Sequence, residues 1–269
     1  MNKIAVFMTL LLSVNTVSAQ TDSGAIERSF DYIEQNKLDS AEIYLKLAIE
    51  SVPDNPLNPF LLNNLGTVQR RLGKKTDAVN SYSAALEQLP ENTVFLEARA
   101  SLYAETGRTE NAIHDYSALL EQNPANEEFL YQRGLLYLQA GQDNYAEADF
   151  RKMLELNPDG FYPRLGLAAL AKFREDYAEA EKIYSFLLDK YPENPQLYAG
   201  RAELFLLSGK AGKASADATR AIRISTEGNP YYYVIRYRAK LLLHEDLSAR
   251  EDLEKAKALG YQDSSGQAL

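Results

Sequence analysis

The 269 residues contain no cysteine and no tryptophan, and only two histidines. Without cysteine there is no disulfide, no thiolate metal site, no cysteine nucleophile and no cysteine to carry a lipid anchor. His114 and His244 lie far apart in the chain. One histidine does not make a metal ligand set or a histidine-based triad, so neither a metal nor another cofactor is expected. Positive charge is also scarce: 29 Lys and Arg stand against 38 Asp and Glu, for a formal net charge of -9. A chain this acidic lacks the basic face that phosphate backbones require, which excludes nucleic acid as a main partner. Gly209-Lys210-Ala211-Gly212-Lys213 resembles a phosphate loop only in composition, because the spacing is wrong and no strand precedes it. No catalytic constellation emerges, and the reading is a non-enzymatic protein.

A long hydrophobic run is missing too. Ile4–Val14 is apolar, but a bilayer span needs about 20 residues. It follows Lys3 and precedes Val17-Ser18-Ala19, the order of a charged, an apolar and a small-residue region in a secretory signal. Residues 1–19 are therefore expected to be removed after Ala19, leaving an exported, periplasmic protein that starts at Gln20, with no transmembrane anchor. Loss of Lys3 and of no acid takes the charge from -9 to -10.

What the chain does have is a period. Ala78, Ala112, Ala146, Ala180 and Ala214 stand 34 residues apart, with Ala41 placed 37 before the first and Ala249 placed 35 after the last. Pro53, Pro90, Pro124, Pro158 and Pro192 keep the beat, as do Leu45, Tyr82, Tyr116, Phe150 and Tyr184. Chemically different rows in one register mark a stacked-repeat chain, and 34 residues is the length of a helix-turn-helix repeat. Seven repeats are read: 22–55, 59–92, 93–126, 127–160, 161–194, 195–228 and 230–262, a single array over 20–262 with 263–269 as a tail. In repeat four, Leu130, Gly134 and Tyr137 share one face of a first helix over 127–140. Gly141 ends it as a left-handed cap, and Asn157-Pro158 stops the second helix. Small residues on first helices (Ser29, Gly66, Ala100, Gly134, Ala168, Ala202) and the alanine row on second helices are read as points of close helix approach. A bulky residue at Ala112 is expected to cost about 1–3 kcal/mol by overpacking.

"NNLGTVQRRLGKKTDAVNSYSAALEQLPEN" in repeat two and "RGLLYLQAGQDNYAEADFRKMLELNPDG" in repeat four resemble tetratricopeptide repeats, and the resemblance covers about 22–262. It departs from that pattern in having no tryptophan, in Glu175 at the turn glycine of repeat five and in Thr226 where repeat six would have proline. The resemblance implies an all-α fold, an α-solenoid of about seven helix-turn-helix repeats wound into a right-handed superhelix, with partners held in a concave groove lined by first helices. Carried onto this chain, the groove positions are Asn63, Thr67, Glu97, Ser101, Glu128, Tyr131, Tyr162, Leu165, Gln196, Glu203 and Tyr231. The lysines of the family's carboxylate clamp are missing, so that specificity is not transferred.

A charge pattern runs through the repeats as well. Arg99, Arg133, Arg201 and Arg236 share one register, and Asp115, Asp149, Asp217 and Asp252 follow each by 16 residues. Repeats two and five lack both members, with Leu65 and Ser81, and Leu167 and Ile183, in their places. Charges that come and go together are read as structural ion pairs between the two helices of a repeat, since an arginine at a helix seam needs a partner. Repeat one breaks the rule, with Arg28 and Tyr44.

The partner expected is a protein or peptide, with a basic segment as the match to acids in the groove. Tyrosines in the groove also suit a glycan or peptidoglycan fragment, because aromatic faces stack on sugars. The oligomeric state is left open at this level. Mass analysis of the N-terminus in the envelope fraction is expected to show loss of residues 1–19; a cytosolic form that keeps Met1 overturns export.

Overall fold

The computed structural model describes residues 23–226 and 228–262, and all of its regular structure is helical. The expected leader, 1–19, and tail, 263–269, lie outside these residues. Fourteen helices follow as seven pairs: α1 (Ser23–Glu34) and α2 (Leu38–Ser51), α3 (Asn58–Arg71) and α4 (Lys75–Gln88), α5 (Thr93–Glu105) and α6 (Thr109–Gln122), α7 (Glu127–Gln139) and α8 (Asp143–Leu156), α9 (Phe161–Phe173) and α10 (Tyr177–Lys190), α11 (Pro195–Leu207) and α12 (Ala211–Ile224), α13 (Pro230–Leu242) and α14 (Asp246–Ala258). The architecture is an all-α solenoid of helical repeats. The chain packs as two compact bodies divided between Pro124 and Ala125, with three helix pairs in the first and four in the second. No helix among the described residues is long and apolar enough to cross a membrane.

Local chemistry starts and stops the helices. Asn92, Asn126, Asn194 and Asn229 each stand just before a first helix, and each side-chain oxygen accepts from an amide of the first turn, as in Asn92 Oδ1 to Val94 N at 3.1 Å. These caps satisfy donors that the helix itself leaves unpaired. Between the two helices of every repeat one residue takes a left-handed conformation: Asn36, Gly73, Gly107, Gly141, Glu175, Gly209 and His244, with φ between 57° and 77°. Glu175 and His244 hold it without being glycine or asparagine, so the tight turn belongs to the repeat and not to the residue.

The core is made where one helix offers no side chain. All seven alanines of the row from Ala41 to Ala249 are fully buried. The large row lies against glycines: a Cβ on Gly66 would stand 2.7 Å from the Tyr82 ring, and one on either Gly134 or Gly166 would stand 2.6 Å from the Phe150 ring. Phe150 is thus clamped between α7 of its own repeat and α9 of the next. Within each body every helix packs on its predecessor and its successor. First helices of successive repeats also touch, α3 with α5, α7 with α9 and α11 with α13. Successive second helices do not approach each other to that extent, so the first-helix face is the tighter, inner side of each body.

Ion pairs join neighbouring repeats at their turns. Arg174 reaches Glu147 at 2.6 Å, and Lys210 and Lys213 share Glu181 at 2.7 and 3.0 Å. In the first body Glu42 is buried and accepts from Lys74, Lys46 and Gln69. Burial raises its pKa, but these three donors outweigh burial and hold the carboxyl at about 2.

Two substitutions separate turn strain from core packing. Glu175→Gly removes a left-handed penalty of about 1–2 kcal/mol against a smaller entropic loss, so it is expected to raise stability by about 0.5–1 kcal/mol. Gly134→Ala, aimed into the Phe150 ring, is expected to lower it by about 1–3 kcal/mol. Denaturant melts of both variants measure the two signs.

Candidate ligand-binding face

The arginine and aspartate rows are explained first, because they are spent on the fold. Arg99 Nε and Nη2 donate to Asp115 at 2.8 and 2.9 Å, Arg133 to Asp149 at 2.9 and 2.7 Å, Arg201 to Asp217 at 2.7 and 3.0 Å, and Arg236 to Asp252 at 2.8 and 2.6 Å. Each contact is a two-pronged fork between the first and second helix of one repeat. All four aspartates are buried. Burial raises the Asp252 pKa, but the hydrogen bonds from Arg236 and Lys240 more than reverse it, so the carboxylate stays ionised. The arginines do more than pair. Arg99 Nη1 donates to Ser83 Oγ at 3.0 Å, Arg201 to Ser185 at 3.2 Å and Arg236 to Thr219 at 3.2 Å, all on the second helix of the preceding repeat. One guanidinium therefore ties three helices together. The rings of Tyr103, Tyr137 and Phe205, four residues after their arginines, lie 5.6–5.7 Å from the guanidinium carbons. Sequence reasoning missed the hydroxyl row, although Ser83, Ser185 and Thr219 keep the 34-residue register. In repeat two a neutral version replaces the pair: Ser81 Oγ donates to Gln69 at 2.7 Å, and Gln69 donates to Glu42. In repeat one Arg28 donates to the Tyr44 hydroxyl at 3.4 Å.

The expected groove positions divide into accessible and buried ones. In the first body Asn63 is buried, with an Oδ1 that has no hydrogen-bond partner. Thr67 is exposed and its hydroxyl meets the Tyr82 hydroxyl at 3.1 Å, while Glu97 and Ser101 are half-buried.

In the second body α7 and α9 bring Tyr131 and Tyr162 together, with ring centroids 5.4 Å apart at an angle of 55°. Tyr131 also lies 6.2 Å from Phe150 and is half-buried. It is not the free ring that its place outside the packing rows suggests: it backs Tyr162, which remains 60% exposed. Phe161 stands edge-on to Tyr162 at 5.4 Å and to Tyr191 at 5.2 Å. Glu128 and Leu135 are exposed beside Tyr131 on α7, Leu165 is half-buried on α9, and Gln196 is exposed at the start of α11.

Glu203 is not a free acid. It accepts from the Tyr231 hydroxyl and from Lys172 Nζ at 3.5 Å. Burial, and then this contact, push the Tyr231 pKa up, and burial pushes Tyr184 up to about 12. The Tyr131 hydroxyl is raised by burial as well. Of these three hydroxyls, Tyr231 donates to Glu203. Among the described residues no three histidine, aspartate or glutamate side chains gather to hold a metal ion. The face is aromatic and apolar around Tyr162, with Glu128 as its accessible acid.

The forks predict unequal losses. Arg201→Ala strands a buried carboxylate, whereas Asp217→Ala strands a guanidinium that reaches solvent; the first is expected to cost about 3 kcal/mol or more, the second less. The double change is expected to fall short of the sum by about 1–3 kcal/mol in denaturant melts, and additive losses exclude the coupling.

Comparison with known proteins agrees with this geometry. Family profiles described as TPR repeat match residues 100–141, and profiles described as tetratricopeptide repeat match 63–116, 165–230 and 127–159. A tetratricopeptide repeat protein from Parabacteroides merdae ATCC 43184 is 43% identical, with a TM-score of 0.77 over 91% of this chain and 95% of that one. PilW, a type IV pilus biogenesis factor, shares the fold at 18% identity and a TM-score of 0.63 over 76% of this chain and 95% of its own. YrrB, described as a TPR protein with an unusual peptide-binding site, shares it at 16% identity and a TM-score of 0.51 over 67% and 92%. No curated protein sequence matches the chain. With helix pairs, turn residues and packing rows all recurring in one register, this chain belongs to the tetratricopeptide repeat family.

Proposed function

We propose that the protein is a non-catalytic scaffold of the cell envelope that captures a protein or peptide segment on the first-helix face of its second body. The fold is a general protein-interaction scaffold, and the export of this chain rests on Lys3, the apolar stretch and Val17-Ser18-Ala19. The observation that carries the binding site is Tyr162: an exposed ring held rigid by Tyr131 and Phe161. Such a ring offers apolar area at little entropic cost, the character of an interface hot spot. The segment it fits has a bulky apolar side chain for Tyr162 and Leu135 and a basic residue for Glu128. Leu165 and Gln196 extend the contact surface of the second body, and Thr67, Glu97 and Ser101 stand at the corresponding positions of the first body considered by itself. Glu203 serves the second-body surface with its charge met by Lys172 and by the Tyr231 hydroxyl.

A photo-crosslinking phenylalanine analogue at position 162 tests this in the envelope. Cross-links to one protein are expected from position 162 and not from an exposed second-helix control at Glu179. Tyr162→Ala is expected to weaken capture by at least about tenfold with unchanged helical content, and added salt is expected to weaken it further through Glu128. Undiminished capture by Tyr162→Ala moves the site away from this face. Salt-insensitive capture of oligosaccharide, with no protein cross-linked, replaces the peptide by a glycan.

A further inference from the structure

Tyr162 belongs to a strip of rings that leaves the first-helix face and crosses the edge of repeat five. Phe161 opens α9 and Tyr191 caps the end of α10, so the start of the first helix meets the end of the second. The Phe161 ring lies 5.4 Å from Tyr162 at 88° and 5.2 Å from Tyr191 at 89°. Both tyrosine planes therefore stand perpendicular to that of Phe161. Tyr131 continues the strip, 5.4 Å from Tyr162 at 55°. No pair along it is coplanar, so the strip offers notches between rings and no flat platform. Tyr162 and Tyr191 are 60% and 40% exposed, with Phe161 half-buried between them. The Tyr162 and Tyr191 hydroxyls and the Gln196 side-chain amide make no hydrogen bond among the described residues.

We propose that the segment captured here is proline-rich and lies across Tyr162 and Tyr191 as a polyproline II helix. This rests on Tyr162 as the capture site and gives that site its ligand class. Shape is the first reason. A pyrrolidine ring is compact and saturated and fills a notch between crossed aromatic rings, whereas a sugar stacks on a flat face. Spacing is the second. Steps of 5.4 and 5.2 Å through Phe161 keep the two tyrosine centroids within about 11 Å, and three polyproline II residues at ~3.1 Å each place prolines i and i+3 about 9 Å apart on one side. Hydrogen bonding is the third. Proline has no N–H, so such a segment presents carbonyls in excess, and two phenol hydroxyls and the Gln196 amide are the donors to meet them. Charge selects the flank. Glu127 and Glu128 are exposed, in no ion pair among the described residues, and open α7 four and three residues before Tyr131. Positions so spaced share a helix face, so a lysine or arginine beside the prolines meets these acids at the Tyr131 end.

Fluorescence anisotropy of a labelled peptide, KPPLPPLPK, on the purified protein tests the proposal. Binding with a Kd below about 1 mM is expected, and the same peptide with every proline replaced by alanine is expected to bind at least about tenfold more weakly. Tyr162→Ala and Tyr191→Ala are each expected to raise the Kd at least about tenfold. Gln196→Ala, at an exposed position outside the ring packing, is expected to raise it about threefold or more with Tm unchanged. Glu179→Ala, on the second helix, is expected to leave it as it is. Equal binding of the two peptides overturns the proposal, as does binding that survives both Tyr191→Ala and Gln196→Ala. Binding of chitotetraose in place of the proline peptide overturns it as well. If neither peptide binds while position 162 still cross-links a protein in the envelope, the ligand class fails and the capture site stands. If that cross-link is missing too, both fail.

Discussion

Close approach of helices at residues without side chains is the constraint on which the rest of this structure depends. A ring such as Phe150 fills the space between two repeats only because Gly134 and Gly166 leave it. The buried alanines do the same for the second helices. Once helices are this near, other groups at the seam lose their water. A polar side chain there must then find a partner within reach, because an unpaired buried group costs about 1–3 kcal/mol or more. The arginine forks answer that demand. Each places a cation at the seam and pairs it with a buried aspartate, and Arg99, Arg201 and Arg236 also reach a hydroxyl on the preceding helix. Repeat five answers it by omission, with Leu167 and Ile183 where the charges would stand.

This has a consequence for function. The charged residues most regular in the sequence are the least available to a ligand, since they are consumed within the stack. What remains on the first-helix face of the second body is mainly tyrosine and leucine, with acids either exposed, as Glu128, or tied up, as Glu203. An exposed ring packed against other aromatic side chains offers apolar area for recognition of another molecule's side chains.

The repeat was legible because several rows share one period, and the arginine–aspartate spacing was legible because its members come and go together. Side-chain direction was harder. Asn63 and Thr67 are four residues apart on α3, yet one is buried and the other exposed. Tyr131 sits outside every packing row and still backs Tyr162, because α9 of the next repeat presents a ring to it. Contacts between repeats of this kind leave no signal within a single repeat. The hydroxyls at Ser83, Ser185 and Thr219 were in register too, but a serine on a helix surface is unremarked until an arginine from the next repeat is seen to reach it.

The sequence by itself determined that this is an all-α chain of stacked helix pairs, where each pair turns, which residues meet at the closest approach and which charges are paired. It did so because local rules of capping, turn conformation and helical spacing repeat with the chain. Only the tertiary structure decided which rows face inward, which tyrosine stays open, and that Glu203 is already occupied. Those outcomes depend on how one repeat is set against the next, and that relation is made by packing between helices far apart in the chain.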